Sequence, residues 1–311
     1  MARAAAELAV SQPVVSKTIT ALEHSLNARV FDRSSKGVEL TDYGHVLLAR
    51  TRVAFDEIDE AIKSIETLKD PTSGEIRIGC PESMTVGLLP RVIERFATRY
   101  PNVVIHVVQA NTFPLDYAPL RERKVDLMLG RISPTFNEPD IDAEILFNEQ
   151  LALVVGRRNP LGTGTSVRLA DFLNERWILA PADSAAGSLW AEAFENAKLP
   201  LPKISIVTFS MNLRNFLVAS GRYVTLLPMS VWKFNAERFA LREIAIKLDL
   251  STAPVAIVTM KGRSVSPVVG RFMQAIREEC IGQGLKAGRK YKKHLNGPRR
   301  RRTQNEESHA D

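Results

Sequence analysis

Apolar residues in the first fifth of the chain recur at helical spacing, in two different registers. Over residues 4–23, Ala4, Ala5 and Leu8 give a first helix a small-residue face. Val15, Ile19, Leu22 and Leu26 then follow at i, i+4, i+7 and i+11, which predicts one buried stripe on a second helix. A tight turn joins the two, with Ser11 as N-cap and Pro13 in the first turn, where its missing N–H costs nothing. Residues 30–41 read as two short strands around a Ser-Ser-Lys-Gly turn, a small β-wing with Arg33 and Lys36 at its tip. A long helix is predicted from the cap Thr41-Asp42 to about residue 68. Along it Leu48, Thr51, Phe55, Ile58, Ile62 and Ile65 keep a 3-4 spacing, the pattern of a coiled-coil seam. About 27 residues make a rod of roughly 40 Å. Pro71 and Gly74 close it in a hinge linker.

From Glu75 onward the rhythm alternates strand and helix. EIRIGC, VVIHVVQ, VDLMLG and LALVVG read as strands, with helices over residues 88–100 and 114–123 between the first three. A second unit begins near Asn159: helix 169–173, strand WILA, helix 189–197, strand ISIVTF, helix 212–220 and strand YVTLLP. PVAIVTM then reads as a strand returning to the first sheet, followed by helix 266–280. Alternation of this kind predicts parallel-rich, doubly wound α/β sheets. The expected boundaries are 1–41 for the winged helix-turn-helix and 42–70 for the linker helix. Lobe I then takes 74–155 with 255–282, lobe II takes 156–254, and residues 283–311 form a tail.

Charge changes the picture only at the end of the chain. The net charge is +7, but residues 286–311 carry nine Lys/Arg against three acids, so the other 285 residues are close to neutral at about +1. The tail reads as disordered, either adding unspecific phosphate attraction or merely solvated. Hydrophobic content of 45% and charged content of 25% are those of a soluble globular protein. No run of about 18 apolar residues suggests a membrane span, and no charged-then-apolar leader pattern opens the chain. The expected compartment is the cytoplasm. Two cysteines far apart, Cys80 and Cys280, suggest no disulfide framework. Cys80 at a strand end reads as a small apolar filler or as a redox sensor.

The face of the second helix opposite its apolar stripe carries Gln12, Ser16, Lys17 and Thr20, and no carboxylate. These side chains suit base edges and phosphates in a DNA major groove. The same pattern fits an ordinary amphipathic hairpin with a solvated face. Taken with the wing, however, SQPVVSK, ALEHSLNARVFDR and GVELTDYG closely resemble the LysR-type transcriptional regulators, over roughly residues 2–282. The resemblance implies that Ser11, Gln12, Pro13, Ser16 and Lys17 approach double-stranded DNA. It implies that Arg33 reaches the backbone or minor groove, and Thr20 and Lys36 are counted with them. It further implies dimerisation through Phe55, Ile58, Ile62 and Ile65, giving a homodimer or homotetramer. The fold expected is α/β: a winged helix-turn-helix and long linker helix before a two-lobed effector domain like that of type 2 periplasmic binding proteins. Regulators of this family carry about twenty further residues before the point at which Met1 stands. Either Met1 is an internal methionine or the chain is a genuine truncation with weakened DNA binding.

In open α/β sheets ligands bind outside the carboxyl ends of the strands. Those ends here carry Ser83, Met84 and Thr85, then Asn111 and Thr112, then Arg131, and in the second unit Ser184, Ser210 and Met211. Hydroxyls and free N–H groups at helix starts suit a small organic anion, with Arg131 as countercharge. Taken singly, Ser83, Thr85, Thr112 and Ser210 also read as plain N-caps, and Met84 and Met211 as lobe-edge packing. The five histidines show no metal-ligand spacing, and no HExxH, CxxC, P-loop or nucleophile elbow occurs. The sequence therefore predicts no catalysis, cofactor or metal. Its expected role is a transcription factor responding to an effector between two lobes. The alternative is an organic-anion-binding α/β protein whose N-terminal segment only oligomerises.

Overall fold

The computed structural model describes residues 2–34, 37–70, 72–110, 115–133, 135–163, 167–246, 248, 250 and 253–285. The chain forms two compact units. One comprises Met1–Ile76, Ala97–Ile105 and Lys261–Phe272, and the other Arg77–Phe96, His106–Met260 and Met273–Asp311.

The first unit opens with α1 (Ala2–Glu7) and α2 (Gln12–Leu26). Val10 N donates to Ala5 O at 3.0 Å, and Ala9 takes the left-handed conformation that the bend requires. Ser11 holds the N-cap position in extended conformation, but its side chain makes no capping bond. The apolar stripe of α2 is less covered than its spacing predicts: Val15 and Ile19 are half-buried, while Leu22 and Leu26 are exposed. Six residues of α1 span roughly 9 Å, too little to cover a stripe about 16 Å long. Asn27, left-handed at φ 48°, ends α2.

The wing is tied to α2 by one carboxylate. Glu23 Oε1 accepts from Val30 N at 2.8 Å and from Phe31 N at 3.1 Å. This fixes the start of β1 (Phe31–Ser34), which pairs antiparallel with β2 (Gly37–Leu40) from Phe31↔Leu40 to Ser34↔Gly37. The expected Ser-Ser-Lys-Gly turn includes Ser35 and Lys36, which lie outside the described residues. Thr41 Oγ1 accepts from Gly44 N at 3.0 Å and donates to Arg29 O at 2.7 Å, capping α3 (Asp42–Lys69) while holding the wing. A Cβ on Gly44 would stand 2.1 Å from Val30 O, so only glycine permits this approach.

Helix α3 has 28 residues, and its seam faces outward: Phe55, Ile58, Ile62 and Ile65 are 63%, 55%, 51% and 54% exposed. Another face is held within the unit, where Glu57 accepts hydrogen bonds from Ser264 N and Oγ. The linker is shorter than predicted. Asp70 accepts from Thr72 N and Oγ1, and β3 (Ser73–Cys80) begins at once, taking Gly74 into the strand.

Beyond the linker come α4 (Glu82–Val86), α5 (Leu89–Arg99), β4 (Asn102–Gln109), α6 (Ala118–Arg121), β5 (Leu127–Arg131), β6 (Ile141–Glu149) and β7 (Leu151–Gly156). After two 3-10 turns follow β8 (Trp177–Leu179), α7 (Ala185–Asn196), β9 (Ile204–Val207), α8 (Met211–Ala219), β10 (Val224–Pro228), α9 (Met229–Asn235), β11 (Leu241–Ile244), β12 (Ala253–Met260) and α10 (Pro267–Gly282). Strands β3 and β4 and helices α5 and α10 run through both units.

These strands make two five-stranded sheets, ordered β4-β3-β5-β12-β6 and β11-β7-β10-β8-β9. Strand β12 returns to the first sheet, as its sequence predicts. The sheets are mixed rather than parallel-rich. Although β3 runs parallel to β5 and β8 parallel to its two neighbours, β12 opposes β5 and β6, and β7 opposes β10 and β11. LALVVG, assigned above to lobe I, is β7 and lies in the second sheet. The chain changes sheets at Gln150, with no Gly or Pro to mark the place. Strands β6 and β11 were not foreseen, because IDAEILFNE and LREI mix charges into their pattern. The second sheet is filled by Phe172, Trp177, Trp190 and Phe194, with Trp177 and Phe194 edge to face at 5.4 Å.

Replacing Gly44 with Ala forces a methyl group against the Val30 carbonyl, at a cost of roughly 1–3 kcal/mol. Hydrogen exchange of the Val30, Phe31 and Thr41 amides is expected to quicken about 5- to 150-fold. Unchanged exchange would show that the wing does not depend on this approach.

Candidate functional site

Two groups of residues carry the chemistry. The first is the open face of α2. Pro13, Ser16, Lys17, Thr20, Ala21 and His24 recur at i, i+3, i+4, i+7, i+8 and i+11 and line one groove of about 620 Å³. Gln12 and Lys17 are exposed, and Ser16 is half-buried. Thr20 Oγ1 donates to Ser16 O at 3.0 Å, so this hydroxyl offers acceptor lone pairs to a partner. Ser11 and Pro13 stand at the start of the same helix, which presents its N-terminal turn and no carboxylate along the groove. Arg33 pairs with Val38 in the wing, and Lys36 lies outside the described residues.

The second group lies in the second unit, where α4 meets α8 and α9. Ser83 and Met84 are buried, and Thr85 Oγ1 donates to Glu82 O within the same short helix. Ser210 is the N-cap of α8: its Oγ accepts from Leu213 N at 3.3 Å. That hydroxyl also donates to Glu82 Oε1 at 3.1 Å. Met211 N donates to Glu82 Oε2 at 3.0 Å, and Asn212 N to Oε1 at 3.2 Å. The predicted residues Ser210 and Met211 thus meet α4, which carries Ser83 and Thr85, through its own Glu82 carboxylate. Ser184 stands apart as the N-cap of α7, accepting from Gly187 N and donating to Pro181 O. Asn111 and Thr112 lie outside the described residues.

Around this contact sits a buried polar layer. Arg131 and Glu149 are each 5% exposed and electrostatically coupled. Burial pulls the Arg131 pKa down and pushes the Glu149 pKa up, and the partner's charge opposes each shift. Glu149 also accepts from Ser230 Oγ at 2.5 Å and from Ser230 N at 3.2 Å, at the start of α9. Arg214, 4% exposed, donates to Thr208 O through Nε and Nη2. Burial lowers its pKa to about 10, opposed by the charge of Glu82 and reinforced by that of Arg131. Asn235 Nδ2 bridges Val86 O and Val231 O, at 2.8 Å each. The countercharge expected of Arg131 is therefore shared with Glu149.

Sequence reasoning missed Glu82, Glu149, Arg214 and Ser230. One signal was present: Met211, Arg214, Asn215 and Val218 share a helix face at i, i+3, i+4 and i+7. Charged and amide groups on an otherwise apolar face mark a buried polar site. The described residues hold no cluster of His, Cys, Asp or Glu able to bind a metal, and no helix among them is long and apolar enough to cross a membrane.

Known proteins match over most of the chain. Residues 1–45 fit the family of bacterial regulatory helix-turn-helix proteins of lysR type, and residues 69–281 fit the LysR substrate binding domain. The transcriptional dual regulator GltC of Bacillus subtilis is 30% identical over 262 residues, covering 84% of this chain and 86% of its own. The HTH-type transcriptional regulator BenM of Acinetobacter baylyi is 28% identical over 287 residues, 91% of this chain and 92% of its own. Among solved structures, full-length BenM superposes with a TM-score of 0.55 at 25% identity, covering 92% of this chain and 93% of that one.

Neither cysteine suits redox sensing. Cys80 is fully buried at the end of β3 and Cys280 is 3% exposed on α10. Burial pushes both thiols up to about 12, with the charge of Glu279 adding to the effect on Cys280. The thiolate is the reactive form, so both are expected to be inert at neutral pH. Ellman's reagent should titrate almost no thiol in the native protein over minutes, and both after denaturation. Rapid native reaction of either would contradict this placement.

Proposed function

The chain belongs to the lysR family of bacterial regulatory helix-turn-helix proteins, and from that premise we propose that α2 reads base edges through Gln12, Ser16 and Thr20, with Lys17 beside them on phosphate. The family consists of DNA-binding transcriptional regulators that carry a substrate-binding domain, and the protein is a regulator of this kind. The observation that carries the reading is the open face of α2, which carries the hydroxyls of Ser16 and Thr20, a cation and no carboxylate. Lys17, and Arg33 and Lys36 on the wing, supply the phosphate contacts that set register without reading sequence.

The seam of α3 supports a second part of the reading, that two chains pair through Phe55, Ile58, Ile62 and Ile65. Fully burying one such side chain contributes about 1.5–3 kcal/mol. A pair of α2 helices then meets two half-sites of an operator, in a homodimer or a homotetramer built from it.

The effector proposed is a small organic anion, held where α4 meets α8 by Ser83, Thr85, Ser210 and the Met211 amide, with Asn111, Thr112 and Arg131 as further candidates from the sequence. The place of action proposed is the cytoplasm, where duplex DNA and small metabolites are both at hand.

Gln12→Ala and Lys17→Ala separate base reading from phosphate attraction. Loss of Gln12 is expected to cost roughly 1–3 kcal/mol on the preferred operator and little on unrelated duplexes. Loss of Lys17 is expected to weaken all duplexes alike and to lower the slope of log affinity against log salt by about one. Titrations at several salt concentrations check both. Unaltered affinity and slope in both variants would place the DNA-reading face elsewhere.

A further inference from the structure

Two basic side chains line the groove on the open face of α2, Lys17 and His24. They stand two helical turns apart, roughly 10 Å along the axis, and so on the same side. Lys17 lies among the hydroxyls of Ser16 and Thr20. His24 lies beyond them in the last turn, where it is exposed and is the basic residue of that turn.

The length of the helix decides what His24 can reach. A recognition helix enters the major groove with its N-terminal residues on base edges. From Pro13 to His24 the axis rises about 16 Å, whereas the major groove is only about 12 Å wide. With Gln12 and Ser16 on the bases, the turn that carries His24 emerges at the phosphate edge. That turn is also the negative end of the helix dipole. The Glu23 and His24 carbonyls accept from Ala28 N at 3.1 Å and from Asn27 N at 3.2 Å. A negative helix end beside a phosphate is repulsive unless a cation stands between them.

No other charged group lines that end of the groove. Besides Lys17 and His24 its walls are Pro13, Ser16, Thr20 and Ala21. Arg3 and Glu7 on α1, the helix packed against α2, pair with each other at 3.0 Å. Glu23 on α2 itself holds the Val30 and Phe31 amides. Arg29 in the following loop, and Asp32, Arg33 and Glu39 in the wing, do not line the groove.

We infer that His24 is a phosphate contact that acts as imidazolium, so that DNA binding by this chain strengthens as pH falls. This rests on the reading of α2 as the DNA-contacting helix and adds to it a residue and a pH dependence. Histidine is the side chain that ordinarily changes charge between about pH 5 and 8. The imidazolium neutralises a phosphate and releases a condensed counterion, whereas the neutral ring does neither. A proton is therefore taken up on binding. Affinity is gained as pH falls through that range and lost as pH rises through it.

The experiment uses the full chain and a duplex that the unaltered protein selects from a random-sequence pool. Affinities are measured across a range of salt at about pH 5.5 and about pH 8, the two sides of histidine titration. For the unaltered protein the slope of log affinity against log salt should be steeper at the lower pH by about 0.9, the value of one phosphate contact, or about 3.5-fold in affinity over a fourfold range of salt. His24→Gln, which keeps a hydrogen-bonding group without the charge, should hold the shallower slope at both pH values. His24→Lys should hold the steeper slope at both. His24 is exposed, so neither change empties a core, and the other four histidines are present in every protein compared. The same pH response in the unaltered protein and in His24→Gln, or none in either, would overturn the inference and leave the DNA reading intact. If selection yields no preferred duplex, the reading of α2 falls and this inference falls with it.

Discussion

Helix α3 carries an apolar seam along most of its length, and the seam stays open while another face of the helix is held within its own unit. Phe55, Ile58, Ile62 and Ile65 are each more than half exposed, although residues of this type normally lie in a core. One face of the helix is held by Glu57 on Ser264, which leaves the seam turned away by roughly 120°. At its N-terminus the same helix receives the wing through Thr41 and the bare backbone of Gly44. Whatever covers the seam therefore fixes the position of the wing and of α2.

The reading head relies on polar ties rather than on a core. Helix α2 buries no side chain, and its connection to the wing is the Glu23 carboxylate on two backbone amides. A small domain has too little apolar surface to hold itself together by burial alone. Specific hydrogen bonds supply order in its place. The α/β body uses the opposite strategy, with aromatic and aliphatic cores under both sheets and one charged layer around Arg131, Glu149 and Arg214.

Much of this was legible in the sequence because it depends on local rules. The 3-4 spacing from Leu48 to Ile65 identified α3, Thr41 its start, and alternating strands and helices the body. The return of PVAIVTM to the first sheet also followed from its order. What escaped depended on tertiary context. No local signal at Gln150 separates a continuing strand pair from a change of sheet, so the sequence alone does not show that β7 belongs to the second sheet. The stripe of α2 is less covered than its spacing predicts because periodicity reports a face and not what covers it. Where α4 meets α8, the hydroxyls at strand ends are recognisable from sequence, but the part played by Glu82 is not. An acidic residue in the first turn of a helix ordinarily serves its own helix dipole. Here it serves a helix 128 residues away.

The central claim is that the seam of α3 pairs two chains and thereby places two reading helices on DNA. Sedimentation of the full chain, alone and with Ile58→Asp and Ile62→Asp together, tests it most directly. Four charges brought into one apolar interface cost several kcal/mol, enough to break a pairing of this size. The account predicts a smaller species for the double variant than for the unaltered chain. An unchanged oligomer, with the variant still folded, would contradict it.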